Sequence, residues 1–315
     1  MSGTAETRIE AIEKLGYTRQ EAAFLATIAL HSGYFMRRQF CRLAGIASGK
    51  RATRFVAKLL DRGHARRHRF ALHRSVIHLG YRPFYEAIGE PESRNRREHQ
   101  PTSIEARLMA IDYVLSHFDS RFLETRLDRD RMLQERGVAH EDLRFAHRFP
   151  IRMVGDDPVF TFIDSGFETE SAFVTFLRSH ARIFEALAAF QLDFVGTRDT
   201  DFPRSQRVFE RTLSGGNAPG LDAEKLNRLL YHFADRQAFE SRRMDGFNRA
   251  RIDRLRDELH EFAAPVYQTL FAEWKAGGSP AVTRVIGERK PLRGTFRPVE
   301  LPFTYGLLWQ RKGDG

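Results

Sequence analysis

The basic residues of this chain are concentrated in one window, residues 36–82. The window holds thirteen Lys or Arg residues and a single acid, Asp61, which gives a local charge of +12. The whole chain of 315 residues carries only +10, so the rest is nearly neutral, at about −2. The fold must therefore present a cationic module attached to a roughly neutral body. Modules of this kind usually meet phosphate, which indicates a nucleic acid before any motif is considered.

Two helices are predicted at the start of this module. Thr18 and Glu21 have the spacing of a capping box, so a first helix should begin there. A shorter apolar pattern over residues 36–44 predicts a second helix that ends at Gly45. Two helices in this order are the beginning of a helix-turn-helix.

A third helix is predicted between Ser48, as its N-cap, and Gly63. Its apolar residues recur at i, i+3, i+4, i+7 and i+8, which predicts an inward stripe of Ala52, Phe55, Val56, Leu59 and Leu60. Four cations fall within about 100° of arc on the other side of the helix. They are Lys50, Arg51, Arg54 and Lys58. A helix with this arrangement is typical of the recognition helix that a helix-turn-helix protein places in the major groove.

Two short runs, residues 65–70 and 75–79, predict a hairpin after the third helix. We interpret it as the wing of a winged helix, whose arginines would lie beside the minor groove or the flanking backbone. The predicted DNA-binding residues are therefore Ser48, Lys50, Arg51, Arg54, Lys58, Arg66, Arg67, Arg69 and Arg74. A solvated charged surface and an RNA-binding surface remain as alternatives.

Four histidines, at positions 64, 68, 73 and 78, suggest a metal site in the same region. Arg66, Arg67 and Arg69 would crowd a divalent ion with like charge, and no neighbouring carboxylate balances them. We therefore predict no metal site and no cofactor. The only cysteine, Cys41, has apolar neighbours and is interpreted as a core residue.

The remaining chain predicts an α+β fold with several parts. A winged helix over residues 1–89 is followed by a polar linker over 90–103, since residues 90–102 offer no apolar side chain to a core. The further parts are an α/β domain over 104–212 with a helix capped by Ser103, a helical region over 213–276 and an irregular tail over 277–315.

The α/β part has the order strand, strand, helix, strand, over residues 149–154, 159–164, 171–190 and 192–196. Asp164 ends the second strand and Glu168 follows it. This order is compatible with restriction-endonuclease-like nucleases, in which carboxylates on adjoining strands hold a divalent ion. The preceding strand offers Arg152 where an acid is needed, so we predict a degenerate endonuclease-like segment. Asp164 would then simply cap a strand, and Glu168 would favour a helix start.

Several stretches resemble the replication-relaxation proteins and related winged-helix proteins carried by plasmids and integrative elements. These stretches are Tyr17-Thr18-Arg19-Gln20 through Leu79-Gly80, the helix over 103–117, Phe149-Pro150-Ile151 and residues 160–166. The resemblance covers approximately residues 18–196. It implies a DNA-binding winged helix joined to an endonuclease-like domain.

The expected function is sequence-selective binding of double-stranded DNA without catalysis, by a homodimeric regulator or accessory replication or transfer factor of a mobile element. A divalent-metal nuclease or nickase using Asp164, with Mg²⁺, is the alternative, and a protein-binding scaffold is a third hypothesis. The chain has no run of 18 apolar residues and no signal-peptide pattern at its start, so we expect a cytoplasmic protein that does not bind membranes.

Overall fold

A computed structural model describes residues 3–47, 49–70, 75–145, 149–166, 170–187, 189–213, 223–243, 245–263, 265–287, 293–303 and 305. The protein is mixed α+β, mostly helical, with two β-sheets. Its internal contacts separate into two units, residues 1–206 with 293–315 and residues 207–292. None of the helices in the described ranges combines the length and the apolar character needed to cross a membrane.

The first unit begins with α1 (Gly3–Glu13), α2 (Arg19–His31), β1 (Tyr34–Phe35), α3 (Arg37–Ala44) and α4 (Lys50–Asp61). Thr18 caps α2 with the predicted capping box, and Gly45 ends α3 with φ 61°. Both helix predictions are thus confirmed. Gly49 is the N-cap of α4, and the predicted cap, Ser48, lies outside the described residues.

The predicted hairpin is confirmed by β2 (Arg66–Arg69) and β3 (Ser75–His78), which pair antiparallel. Strand β1 adds to the other edge of β3, so the sheet order is β1-β3-β2. His78 lies opposite Arg66 on one side and Tyr34 on the other. Arg74 belongs to the turn between β2 and β3 and lies outside the described residues.

A core of aromatic rings holds these helices and strands together. Phe24 of α2 makes edge contacts with Phe35, Phe40 and Phe55, at centroid distances of 5.1, 5.3 and 5.9 Å. These four rings are at most 1% exposed. The stripe predicted for the third helix therefore does face inward.

Residues 90–103, expected to form a linker, pack against α2 and the small sheet. After α5 (Arg82–Ala87), a 3₁₀ turn over Arg94–Arg96 places the Asn95 amide 2.9 Å from two α2 carbonyls, of Ala29 and Leu30. The next helix, α6 (Pro101–Ser116), begins two residues before the predicted cap, Ser103. Polar side chains without apolar surface can still satisfy backbone groups, which composition alone does not reveal.

The second sheet has five strands in the order β4-β5-β6-β7-β8. Its elements are β4 (Arg121–Phe122), α7 (Arg126–Glu135), a 3₁₀ turn (His140–Phe145), β5 (Ile151–Val154), β6 (Asp157–Ile163), α8 (Glu170–Ser179), α9 (Ala181–Ala186), β7 (Phe190–Gly196) and β8 (Gly294–Glu300). Strands β4 to β6 are antiparallel, whereas β6, β7 and β8 run parallel.

Two predictions for this part are corrected. The single helix expected over 171–190 is two helices, because His180 leaves the helical conformation and Phe190 already belongs to β7. The tail expected to be irregular over 277–315 supplies β8, which pairs along its whole length with β7. A proline inside β8, Pro298, is tolerated because β8 is an edge strand.

Helix α10 (Phe202–Leu213) leads into the second unit, which contains α11 (Ala223–Glu240), α12 (Arg249–Glu261) and α13 (Pro265–Gly287). Helix α13 is broken at Gly278. A small apolar core is formed by Leu229, Phe233, Phe262, Tyr267, Leu270, Phe271 and Val282. The stripes predicted here are therefore mainly core, although Phe239 and Leu259 remain 50% and 43% exposed.

Candidate nucleic-acid interface

The outer side of α4 carries exposed cations. Lys50, Arg51 and Arg54 are exposed, whereas Phe55 and Leu59 of the same helix are at most 1% exposed. This separation follows from the 3.6-residue period, because burying the apolar stripe turns the remaining positions to solvent. The helix therefore presents positive charge away from the core that holds it.

The cations of α4 differ in their partners. Arg51 donates a hydrogen bond to Oε1 of Gln20. Lys50 and Arg54 make no hydrogen bond or ion pair with any residue that the structure describes. A guanidinium or ammonium group without a protein partner can bind a phosphate at little cost, because no existing contact must be broken.

Lys58 has a different environment from the other three predicted cations of α4. Its ammonium lies 2.8 Å from Oε2 of Glu21 and 4.6 Å from the ring centroid of Tyr17. Its side chain is only 27% exposed. Lys58 therefore links α4 to the start of α2, and its charge is largely balanced within the protein.

The three predicted arginines of β2 are all exposed. Arg66 forms an ion pair with Glu98 at 2.8 Å, and both side chains are more than half exposed. Arg67 and Arg69 have no such partner among the described residues. Side chains alternate along a strand, so Arg67 and Arg69 project from the opposite side of β2 to Arg66.

Helix α3 adds a cation that the motif analysis did not select. Arg37 is exposed and donates to Oγ1 of Thr53 at 3.2 Å, which places it beside the exposed side of α4. The sequence signal that could have selected Arg37 is its position within the basic window, residues 36–82. We call Arg37, Lys50, Arg51, Arg54, Arg67 and Arg69 the basic surface.

Other cations of the window hold the fold together. Arg38 donates two hydrogen bonds, of 2.7 and 2.6 Å, to the fully buried carboxylate of Asp112 on α6. Arg62 donates to the carbonyl oxygens of Leu15 and Gly16, at 3.0 and 3.3 Å. The local charge of +12 is therefore divided between internal contacts and the basic surface.

Asp164, the candidate nuclease acid, follows the end of β6 and is half-buried. Its Oδ1 accepts a hydrogen bond from the Gly166 amide at 2.9 Å, the geometry of a capped turn. No group of three potential metal ligands within the described ranges includes Asp164. Glu168 lies outside those ranges.

Asp193 of β7 is a buried acid that the sequence analysis passed over. Its carboxylate accepts hydrogen bonds from Tyr113 (2.6 Å), Gln191 (2.6 Å), Arg152 (3.1 Å) and Arg297 (2.8 Å). The sequence signal that could have selected Asp193 is an acid placed between the apolar residues Leu192 and Phe194 of a strand.

The Asp193 carboxylate remains ionised despite its burial. Burial opposes ionisation, but the hydrogen bonds from Arg297, Tyr113 and Gln191 outweigh it and lower the pKa of Asp193. Together these donors occupy both oxygens of the Asp193 carboxylate, which a metal ion would need as ligands. Arg152, which stands where a nuclease would need an acid, is one of them.

The described residues therefore include exposed cations on α3, α4 and β2, and a buried acid, Asp193, whose oxygens are occupied by donors of the protein. A scan of protein-family models finds no match to this chain, and searches of curated proteins and of solved structures find none either.

Proposed function

We propose that this chain binds double-stranded DNA with sequence selectivity, through a winged helix-turn-helix formed by α2 to β3. The order of the helices and strands supports this proposal, as does the antiparallel β1-β3-β2 sheet that follows the helices. The observation that carries it is the basic surface, whose cations project from α3, α4 and β2 of one small core.

In this proposal α4 is the recognition helix. The major groove of B-DNA is about 12 Å wide and admits an α-helix, whereas the deep, narrow major groove of A-form RNA does not. Arg51 and Arg54 would reach guanine edges or phosphates, and Lys50 would bind a phosphate at the start of the helix. Arg67 and Arg69 would bind the flanking backbone and position the protein without reading sequence.

We propose a non-catalytic role for the five-stranded sheet, as a degenerate endonuclease-like domain. Support comes from Asp193, whose oxygens are saturated by its neighbours, and from Arg152 in place of an acid. With the resemblance noted above, this favours a regulator or an accessory factor of replication or transfer in a mobile element. Two copies of the chain would read paired half-sites.

Fluorescence anisotropy with a fragment selected from random duplex DNA tests the binding proposal. We expect log affinity to fall linearly with log salt, by about 0.9 for each phosphate contacted. The double variant Arg51→Glu, Arg54→Glu should weaken binding by several kcal/mol and reduce that slope by about 2, because two phosphate contacts are lost.

The matched control is Arg249→Glu, Arg256→Glu, which makes the same charge change at two exposed positions of α12. Far-UV circular dichroism establishes that both double variants are folded. An equal loss of affinity in both double variants, or no loss in either, would show that the basic surface is not the binding site.

Incubation of supercoiled plasmid with the protein and Mg²⁺ or Mn²⁺ tests the absence of catalysis. We expect the plasmid to remain supercoiled, because no group of three potential metal ligands among the described residues includes Asp164. Metal-dependent nicking that Asp164→Ala abolishes would establish the nuclease alternative instead.

A further inference from the structure

Two strands of the small sheet and the segment after α5 bring three metal-binding side chains together. They are His68 of β2, His78 of β3 and Glu98. One ligand atom from each lies within 4.8 Å of the other two. Glu98 is twenty residues beyond His78 in sequence, so only the packing of residues 90–103 reveals the group.

The two imidazoles have few internal partners. His78 is 2% exposed, and its ring makes only a weak contact with the Asn95 backbone. Nε2 of His68 is buried without a partner. Buried polar atoms are nearly always hydrogen-bonded, so poorly partnered imidazole nitrogens in one place indicate a ligand.

Tyr34 holds both sides of this group in place. Its ring stacks on the His78 imidazole with a centroid distance of 4.3 Å and an interplanar angle of 13°. Its hydroxyl accepts from the His99 amide at 2.9 Å and donates to the Arg97 carbonyl at 3.4 Å. These two contacts flank Glu98, so one buried side chain orients both a histidine and the segment that carries the carboxylate. Outer contacts of this kind are what orient the ligands of metal sites.

We propose that His68, His78 and Glu98 bind a divalent transition-metal ion, with zinc as the preferred ion. Two imidazoles and a carboxylate are a normal zinc ligand set, and water supplies the fourth position. Ligand atoms of a tetrahedral zinc lie about 3.4 Å apart, given bonds of about 2.0–2.1 Å. The Glu98 side chain is 56% exposed and can move inward to reach this spacing.

Glu98 supplies the carboxylate that the sequence around the histidines lacks. Arg67 and Arg69 project from the other side of β2, so they do not crowd the group. Arg66 contacts the Glu98 carboxylate, which has two oxygens and can bind the ion through one and Arg66 through the other. The ion would join β2, β3 and the segment after α5.

Titration of the full-length protein with zinc chloride against a chelating indicator tests this site. We expect one equivalent to bind, with affinity reduced at least about tenfold in His68→Ala and in Glu98→Gln, since each loses one ligand. Co²⁺ in place of zinc should give the intense visible absorption of a tetrahedral site, and both variants should lose it.

His260→Ala is the control, because His260 is exposed and lies in the other unit. Both ligand variants change partly exposed side chains, and circular dichroism verifies their folds, so the test does not depend on a substitution of buried His78. Failure of the wild type to bind one equivalent would overturn the proposal, as would equal binding by both ligand variants. No DNA is present in this experiment, so its outcome is independent of the DNA-binding proposal.

Discussion

At the scale of single residues, the ion pairs of Asp193 and Asp112 determine which charges are available to a partner. Both carboxylates are fully buried. Asp193 contacts Arg152 and Arg297, and Asp112 contacts Arg38, in each case from a distant part of the chain. A buried carboxylate with several donors is stable only while all of them are present, because an unpaired buried charge is costly. Such residues contribute to stability and to the arrangement of the fold.

We expect Asp193→Asn to destabilise the first unit by about 3–5 kcal/mol, because Arg152 and Arg297 lose their counter-charge. Urea denaturation at pH 7 measures the loss. Asp199→Asn is the control, since the Asp199 side chain is 77% exposed and its contact with Arg198 is long, at 3.6 Å. A loss below about 1 kcal/mol for Asp193→Asn would show that this network contributes little.

At the scale of helices and strands, local signals were sufficient for some elements and insufficient for others. Thr18 with Glu21, and Gly45, mark their helix ends by contacts within a few residues, so α2 and α3 were predictable. Strand β8 was not predictable, because its partner β7 lies far away in sequence and its own pattern is weak.

The candidate interface was likewise predictable only in part from local sequence. The cations of α4 could be selected from helical periodicity alone. Their partners could not, since Lys58 is balanced by Glu21 of another helix and Arg66 by Glu98 of a supposed linker. The sequence therefore predicts which cations are exposed better than it predicts which of them are unpaired.

The end of α2 gives a prediction about pH. Nδ1 of His31 is buried without a partner, and burial, with Arg129 and Arg8 nearby, lowers the pKa of His31 to about 3. Between this value and about 6.5, the unfolded chain binds a proton that the folded chain does not. Stability should therefore be complete above pH 6.5 and fall as the pH decreases toward 3.

Urea denaturation of wild type and His31→Gln at pH 7, 6 and 5 isolates this contribution. The wild type should lose up to about 1.4 kcal/mol more per pH unit than the variant, because one proton is involved. Parallel pH profiles for the two proteins would mean that His31 titrates normally in the folded state.

At the scale of the whole molecule, the contacts divide the chain into two units with separate apolar cores. A unit with its own core can unfold in its own transition. Phe233 is fully buried in the core of residues 207–292, and Asp193 is buried in the other unit. These two positions therefore serve as reporters of the two units.

We expect calorimetry to resolve two transitions. Phe233→Ala should remove about 3–5 kcal/mol from the unit that contains it and lower only one transition. Asp193→Asn should lower only the other. A single transition that both variants shift together would mean that the two units unfold as one.

The long separation between β7 and β8 affects how the chain folds during synthesis. Strand β8 leaves the ribosome roughly 100 residues after β7, which takes about 5–20 s at ordinary rates of translation. During that interval the apolar strand β7 has an open edge, and Asp193 lacks Arg297. Nascent chains that end before Gly294 should therefore be captured by chaperones, and completion of β8 should release them.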